Sequence, residues 1–202
     1  MPSALILIAD GTEEMEFTIV YDTLVRADVK CVSAYVSPTS AATIPEGTEQ
    51  NPPFVRCSRG VCIQPDIYFT HKATTSNDYD VLVIPGGAKG AETMAGFSAV
   101  QTVVKEFYNN KKLVAMICAG SLAALSSELP SQPLTSHPSV KSELDQKFKY
   151  SEDSVVVSNN LITSRGPGTA FPFALTIVEL LCGKEKREQV RGPMIFPAGT
   201  PF

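Results

Sequence analysis

Three short runs of this chain, Ala4 to Ala9, Tyr79 to Ile84 and Leu113 to Ile117, are apolar almost throughout, and each stops abruptly at small or polar residues: Asp10-Gly11, Pro85-Gly86-Gly87 and Cys118-Ala119-Gly120. A strand without polar alternation must be covered on both faces, which is the situation of a parallel sheet between two helical layers. The intervening segments have the matching period. Glu14 to Ala27 shows helical spacing of apolar residues, and Phe97, Val100, Val103, Val104 and Phe107 fall on one helical face. Val29 to Val36 reads as a further strand, and Ala170 to Cys182 as a closing helix ended by Gly183. Two hairpins are expected, Phe54 to Cys57 with Val61 to Ile63, and Val155 to Val157 with Leu161 to Thr163 across Ser158-Asn159-Asn160. The expected fold is therefore α/β, a doubly wound, mostly parallel, flavodoxin-like sheet with helices on both faces. With 202 residues and 44% hydrophobic content, one domain spanning residues 1–202 accounts for the chain. Residues 37–53, rich in Ser, Thr and Pro, read as a surface insertion.

Composition removes several classes of function. The net charge of −4 and the scattered Lys and Arg residues, apart from a mixed-charge stretch at Lys184 to Arg191, argue against nucleic acid as a partner. No apolar run approaches membrane-spanning length and no basic segment precedes Ala4, so no membrane partner and a soluble intracellular protein are expected. The five cysteines, Cys31, Cys57, Cys62, Cys118 and Cys182, form an odd set without a C-x-x-C pair, which points to a reducing compartment. Only His71 and His137 are present, neither beside a cysteine pair, so no metal site is expected. Phosphate-loop and dinucleotide fingerprints are absent, and no cofactor is expected.

Chemistry must then come from side chains, and Cys118 is the foremost candidate. It stands where an apolar strand meets the small-residue segment Ala119-Gly120-Ser121-Leu122, which reads as a helix start. Backbone amides at that point are expected to lower the thiol pKa, and the small neighbours allow a strained strand-to-helix elbow. In open parallel sheets ligands bind beyond the strand carboxyl ends, where Asp10-Gly11, Gly86-Gly87 and Cys118 all fall.

Six segments in order, Asp10-Gly11-Thr12-Glu13-Glu14-Met15-Glu16, Cys57-Ser58-Arg59, Pro85-Gly86-Gly87, Ile117-Cys118-Ala119-Gly120, His137-Pro138 and Thr163 to Thr169, resemble the ThiJ/PfpI superfamily, and within it the Parkinson-disease-protein branch, also called glyoxalase III or protein deglycase. The resemblance covers nearly the whole chain, excepting residues 37–53 and the tail after Pro193. It implies that Cys118 is an oxidisable nucleophile, that Glu16 is the carboxyl hydrogen-bonded to it, and that His137 belongs to the same site. It implies further that the amides of Gly86, Gly87 and Ala119 face the thiol as oxyanion or substrate-binding donors, and that the hairpin carrying Arg59 pairs two copies into a homodimer. Ser164, Arg165 and Gly168 are expected to shape the fold, without a chemical role. Ala119 stands where the peptidase branch has histidine, which lowers a protease reading.

The activity implied is glutathione-independent conversion of methylglyoxal and related 2-oxoaldehydes to 2-hydroxy acids such as D-lactate, with deglycation at the same site. Cys118 adds to the aldehyde, Glu16 moves the proton through an enediol, and His137 serves as a relay. Glu13 is expected to be replaceable. The alternative is an oxidative-stress sensor or redox-regulated chaperone acting through oxidation of Cys118 in preference to the other thiols. The implied compartment is the cytoplasm, with the nucleus as a second one.

Overall fold

The computed structural model describes residues 1–37, 52–70 and 74–202. The expected insertion at 37–53 therefore falls almost wholly outside the described residues, as does His71.

The strands are β1 (Ser3–Ile8), β2 (Lys30–Tyr35), β3 (Val55–Arg56), β4 (Cys62–Ile63), β5 (Ile67–Tyr68), β6 (Val81–Ile84), β7 (Leu113–Ile117), β8 (Pro133–Leu134), β9 (Lys149–Tyr150), β10 (Val155–Ser158) and β11 (Leu161–Ser164). Seven of them form the central sheet in the order β10-β11-β7-β6-β1-β2-β5. Every pairing in it is parallel except β10 with β11. The apolar runs behave as their composition requires. Leu5 to Ile8, Val81 to Ile84 and Val114 to Ile117 are fully buried, and each such side chain contributes about 1.5–3 kcal/mol by leaving water.

The helices are α1 (Glu14–Arg26), α2 (Ala88–Gly96), α3 (Ser98–Asn109), α4 (Leu122–Ser126), α5 (Lys141–Leu144), α6 (Ala170–Cys182) and α7 (Lys184–Arg191). Helices α1 and α6 pack together on one face of the sheet, while α2, α3 and α4 cover the other. Helix α1 ends at Arg26: the Ala27 and Asp28 amides donate to the Leu24 and Val25 carbonyls, and Asp28, at φ = +59°, turns the chain away. Its buried stripe contains Phe17, Val20 and Leu24, and Glu16 lies in the same stripe, one turn before Val20. That periodicity, together with the N-terminal position, carries an acid into the interior.

The chain winds outward from β1 to β2 and β5, then crosses back to β6 on the other side of β1. The reversal leaves a crevice between the carboxyl ends of β1 and β6, with the end of β7 alongside. The small hairpin of β3 and β4 is tied over this edge by Gly11 N donating to Arg56 O at 2.9 Å and Ser58 N donating to Thr12 O at 2.8 Å. Among the described residues no helix is long and apolar enough to cross a membrane.

Candidate active site

Cys118 adopts φ = +62°, a left-handed conformation that costs a non-glycine residue about 1 kcal/mol or more. The strand-to-helix elbow expected from the sequence is thus present. It is held from two sides. His137 N donates to the Cys118 carbonyl at 3.3 Å. Gly120 presses on the end of β6 so closely that a Cβ there would lie 2.5 Å from the Ile84 carbonyl oxygen. Ser121, one residue on, donates its buried hydroxyl to the Thr135 carbonyl at 3.0 Å and so fastens the segment leading to His137.

Glu16 reaches the elbow from α1. Its Oε2 accepts the Gly86 amide at 2.7 Å. Its Oε1 is buried without a hydrogen-bond partner among the described residues, and the carboxyl as a whole interacts with the Cys118 side chain. Gly86 makes this meeting possible. A Cβ on it would stand 2.5 Å from Cys118 Cβ, 2.7 Å from Glu16 Oε2 and 3.0 Å from Cys118 Sγ. Gly87 takes φ = +82° as it turns from β6 into α2, and its amide, with that of Ala119, is directed at the sulfur. The three amides therefore divide their work: Gly86 serves the carboxyl, whereas Gly87 and Ala119 serve the thiol.

Burial raises the Glu16 pKa from the ordinary carboxylate range to about 7, the contacts with Cys118 and Gly86 opposing and the Glu13 charge reinforcing the shift. Burial, then the charge and hydrogen bond of Glu16, push the Cys118 thiol up to about 12, against the pull of the Ala119 and Gly87 amides. The expected low-pKa thiol is corrected here. The helical segment behind Cys118 is a single 3₁₀ turn, Cys118–Ser121, followed by the five-residue α4, too short to supply a large dipole. Desolvation and an adjacent carboxylate outweigh it. Two of the three upward causes come from Glu16 itself, so the thiol and the carboxyl titrate as a pair.

The folded protein binds the Glu16 proton more tightly than the unfolded chain does. Stability contributed by this group is therefore full below about pH 4.5 and falls as pH rises toward about 7. Urea midpoints at pH 5 and pH 7.5 should show a larger drop for wild type than for Glu16→Gln; equal drops would mean that Glu16 titrates normally.

Glu13 has a structural role beside the site. Its carboxylate caps α1 by accepting Glu16 N at 2.8 Å, while its own amide donates to the Gly86 carbonyl at 3.1 Å. Two further acids had no assigned role and clamp the hairpin. Asp10 Oδ1 accepts Arg56 N at 3.0 Å, and Glu14 accepts Ser58 Oγ at 2.9 Å and Arg59 N at 2.8 Å. The acid-rich start of α1 is the visible trace of these roles, but their partners come from a segment more than forty residues away.

His137 is placed differently from Glu16. Its backbone adjoins Cys118, yet its exposed ring accepts the Ser139 amide at Nδ1, 3.2 Å away, and lies near Gly166. No hydrogen bond joins the ring to Glu16 or Cys118. An amide can only donate, so the neutral ring carries its proton on Nε2. Ser164 and Arg165 are structural: Ser164 Oγ donates to the Ser154 carbonyl at 2.7 Å, and Arg165 binds the Glu152 carbonyl at 2.7 Å.

A doubly wound sheet with a cysteine on a strained elbow and a buried carboxyl against its sulfur defines a class of thiol-bearing α/β proteins. The chain belongs to the DJ-1/PfpI family, whose pattern matches residues 2–180. It is 37% identical to the glutathione-independent glyoxalase DJ-1 of Schizosaccharomyces pombe, over 98% of this chain and all of that protein, with 100% covered. It is 40% identical to the Parkinson disease protein 7 homolog of Danio rerio, over 95% of this chain and 96% of that one. The crystal structure of Drosophila melanogaster DJ-1beta superposes with a TM-score of 0.84 at 38% identity, covering 97% of this chain and 99% of that chain.

Proposed function

We propose that the protein is a glutathione-independent glyoxalase that converts methylglyoxal and related 2-oxoaldehydes to 2-hydroxy acids. The observation that carries this reading is the buried Glu16 carboxyl, poised near neutral pKa in contact with the Cys118 thiol and with one oxygen unpartnered. Glutathione-independent glyoxalase relatives in S. pombe, at 37% identity, and Caenorhabditis elegans, at 34%, support it.

In the first step Glu16 takes the thiol proton as Cys118 sulfur bonds to the aldehyde carbon, and the carbonyl oxygen receives that proton to give a hemithioacetal. The Gly87 and Ala119 amides are placed to stabilise the oxyanion while it exists. Carboxylate Glu16 then removes the hydrogen from the former aldehyde carbon, leaving an enediolate, and returns it to the adjacent carbon as the hydroxyl proton of the first carbon passes to the oxygen of the second. The product is a 2-hydroxyacyl thioester. Water hydrolyses the thioester, releasing the acid and regenerating the thiol. In this scheme His137 serves as an Nε2–H donor at the mouth of the site, since its Nδ1 is occupied. Deglycation of early carbonyl adducts would begin with the same addition. The test is D-lactate formation from methylglyoxal without glutathione; a protein that forms none, although folded, overturns the reading.

The free Oε1 of Glu16 also favours a second reading, oxidation of Cys118 by peroxide, in which each step transfers one oxygen to sulfur and releases water. A protonated Glu16 and the Gly87 and Ala119 amides would hold the resulting sulfinate. Cys62 is exposed whereas Cys118 is only 9% exposed, so a preference for Cys118 would rest on its site and not on access. Turnover of methylglyoxal separates the two readings.

The assembly proposed is a two-fold homodimer. Met15 and Val25 on α1, with Phe54 and Val61 around the hairpin, are large apolar side chains left 49–67% exposed. Light scattering at micromolar concentration should give twice the chain mass of 21.7 kDa, and Phe54→Asp should shift it toward the single-chain value. The proposed compartment is the cytoplasm, with the nucleus as a second one.

A further inference from the structure

Helix α1 opens on an unusual cap. The residue ahead of it is Glu13, at a position where the shorter side chains of Ser, Thr, Asp and Asn prevail, and its Oε2 accepts the Glu16 amide at 2.8 Å. Glu13 and Glu16 have the spacing of a capping box, in which the later glutamate would turn back and accept the amide of the cap residue. Here that return bond is not made directly. Gly86 stands in its place: the Glu13 amide donates to the Gly86 carbonyl at 3.1 Å, and the Gly86 amide donates to Glu16 Oε2 at 2.7 Å. The result is a closed ring of three hydrogen bonds that joins the start of α1 to the loop after β6.

The ring is enclosed. Glu16 is fully buried and Glu13 is nearly so. A Cβ on Gly87 would stand 2.5 Å from Glu13 N, so the loop lies against the cap backbone itself. The Glu13 carbonyl accepts the Phe17 amide at 3.2 Å and carries the chain on into the helix. Glu13 forms no ion pair among the described residues. The groups that act on the Glu16 carboxyl are the Cys118 thiol from the elbow, the Gly86 amide from the loop after β6, and the Glu13 charge from the turn before α1. Glu14, the next acid, is turned instead to Ser58 and Arg59. Helix α6, packed on α1, has as ionisable groups Cys182 and Glu179, the latter paired with Arg187, and neither acts on Glu16.

We infer that Glu13 is a positioning residue for the thiol chemistry: by holding the Glu16 amide it closes the ring that keeps the Glu16 carboxyl against Cys118. An ordinary capping box would fold Glu16 back onto the first turn of its own helix. With Gly86 interposed, the carboxyl is held one residue further out, beside the sulfur with which it interacts. Glu13 acts only through Glu16. Its replacement is then tolerated where an acceptor for the Glu16 amide is kept. Because the Cys118–Glu16 pair is common to the glyoxalase and oxidation readings, this role holds with or without turnover of methylglyoxal.

The test is alkylation of Cys118 by iodoacetamide between pH 5 and pH 9 in the full chain, followed at the Cys118 peptide by mass spectrometry so that exposed Cys62 does not interfere. The wild-type rate should rise with pH as Glu16 loses its proton and becomes able to take that of the thiol. Glu13→Gln keeps an oxygen for the Glu16 amide and removes the charge that opposes ionisation of Glu16. Its profile should move to lower pH, with reaction about two- to threefold faster than wild type at pH 6 and equal within about twofold at pH 8. Glu13→Ala removes the acceptor as well, and its rate at pH 8 should fall about tenfold as the carboxyl shifts from the sulfur. Loss of packing alone would not move the Glu13→Gln profile toward acid while sparing its rate at pH 8. A Glu13→Gln profile that coincides with wild type or moves to higher pH would overturn the inference, because a carboxylate held in this ring must be felt by its neighbour. Glu13→Gln as slow as Glu13→Ala at pH 8 would overturn it too, as would folded Glu13→Ala protein that reacts at the wild-type rate. Should Glu13→Ala fail to fold, the Glu13→Gln profile decides.

Discussion

Cys118→Ser protein should lose D-lactate formation from methylglyoxal by more than about a thousandfold, a size typical of removing a nucleophile that works with its base as one unit. Serine is nearly isosteric, so the strained backbone at φ = +62° and the hydrogen bond from the His137 amide should persist. What changes is acidity. A thiol of pKa about 12 can hand its proton to a carboxyl of pKa about 7 as it attacks, but an alkyl hydroxyl is far less acidic still. The unfolding midpoint should stay within a few degrees of wild type. A folded serine variant that keeps a tenth of the rate would remove Cys118 from the mechanism.

The second large effect is expected at a residue with no side chain. In Gly86→Ala the new methyl carbon would fall 2.5 Å from Cys118 Cβ and 2.7 Å from Glu16 Oε2, distances that force both reacting groups to move. Displacement of the order of 1 Å at a reacting centre lowers rates by about a hundredfold, and overpacking of a filled site lowers stability by about 1–3 kcal/mol. Gly96→Ala is the matched control, because nothing lies within 4 Å of its added carbon. Urea unfolding and the D-lactate assay on both variants provide the check. Equal activity of the two would mean that the Gly86 loop yields readily and does not fix the distance between thiol and carboxyl.

Much of the architecture was legible because local pattern and burial agree. The continuous apolar runs became the central parallel strands, and the segment Ala170–Cys182 became α6, ending at Gly183 with φ = +89°. Helix α2 was not anticipated. Two glycines among its nine residues weaken helix propensity, and its contacts with α3 and α4 hold it in place. The mixed-charge stretch Lys184–Arg191 forms α7 although only Val190 is buried, so it carries no apolar stripe to read. Two-residue strands such as β5, β8 and β9 are too short to show any period.

In the site, the sequence by itself determined the elbow, since a strand must end where Cys118-Ala119-Gly120 begins, and it placed Glu16 on the apolar stripe of α1. Tertiary structure decided the rest. It reversed the expected acidity of Cys118, joined Glu13 to both Glu16 and Gly86, and turned the His137 ring toward Ser139. Secondary structure follows largely from neighbours within a few positions, whereas desolvation and charge act through space, between groups that the chain order keeps tens of residues apart.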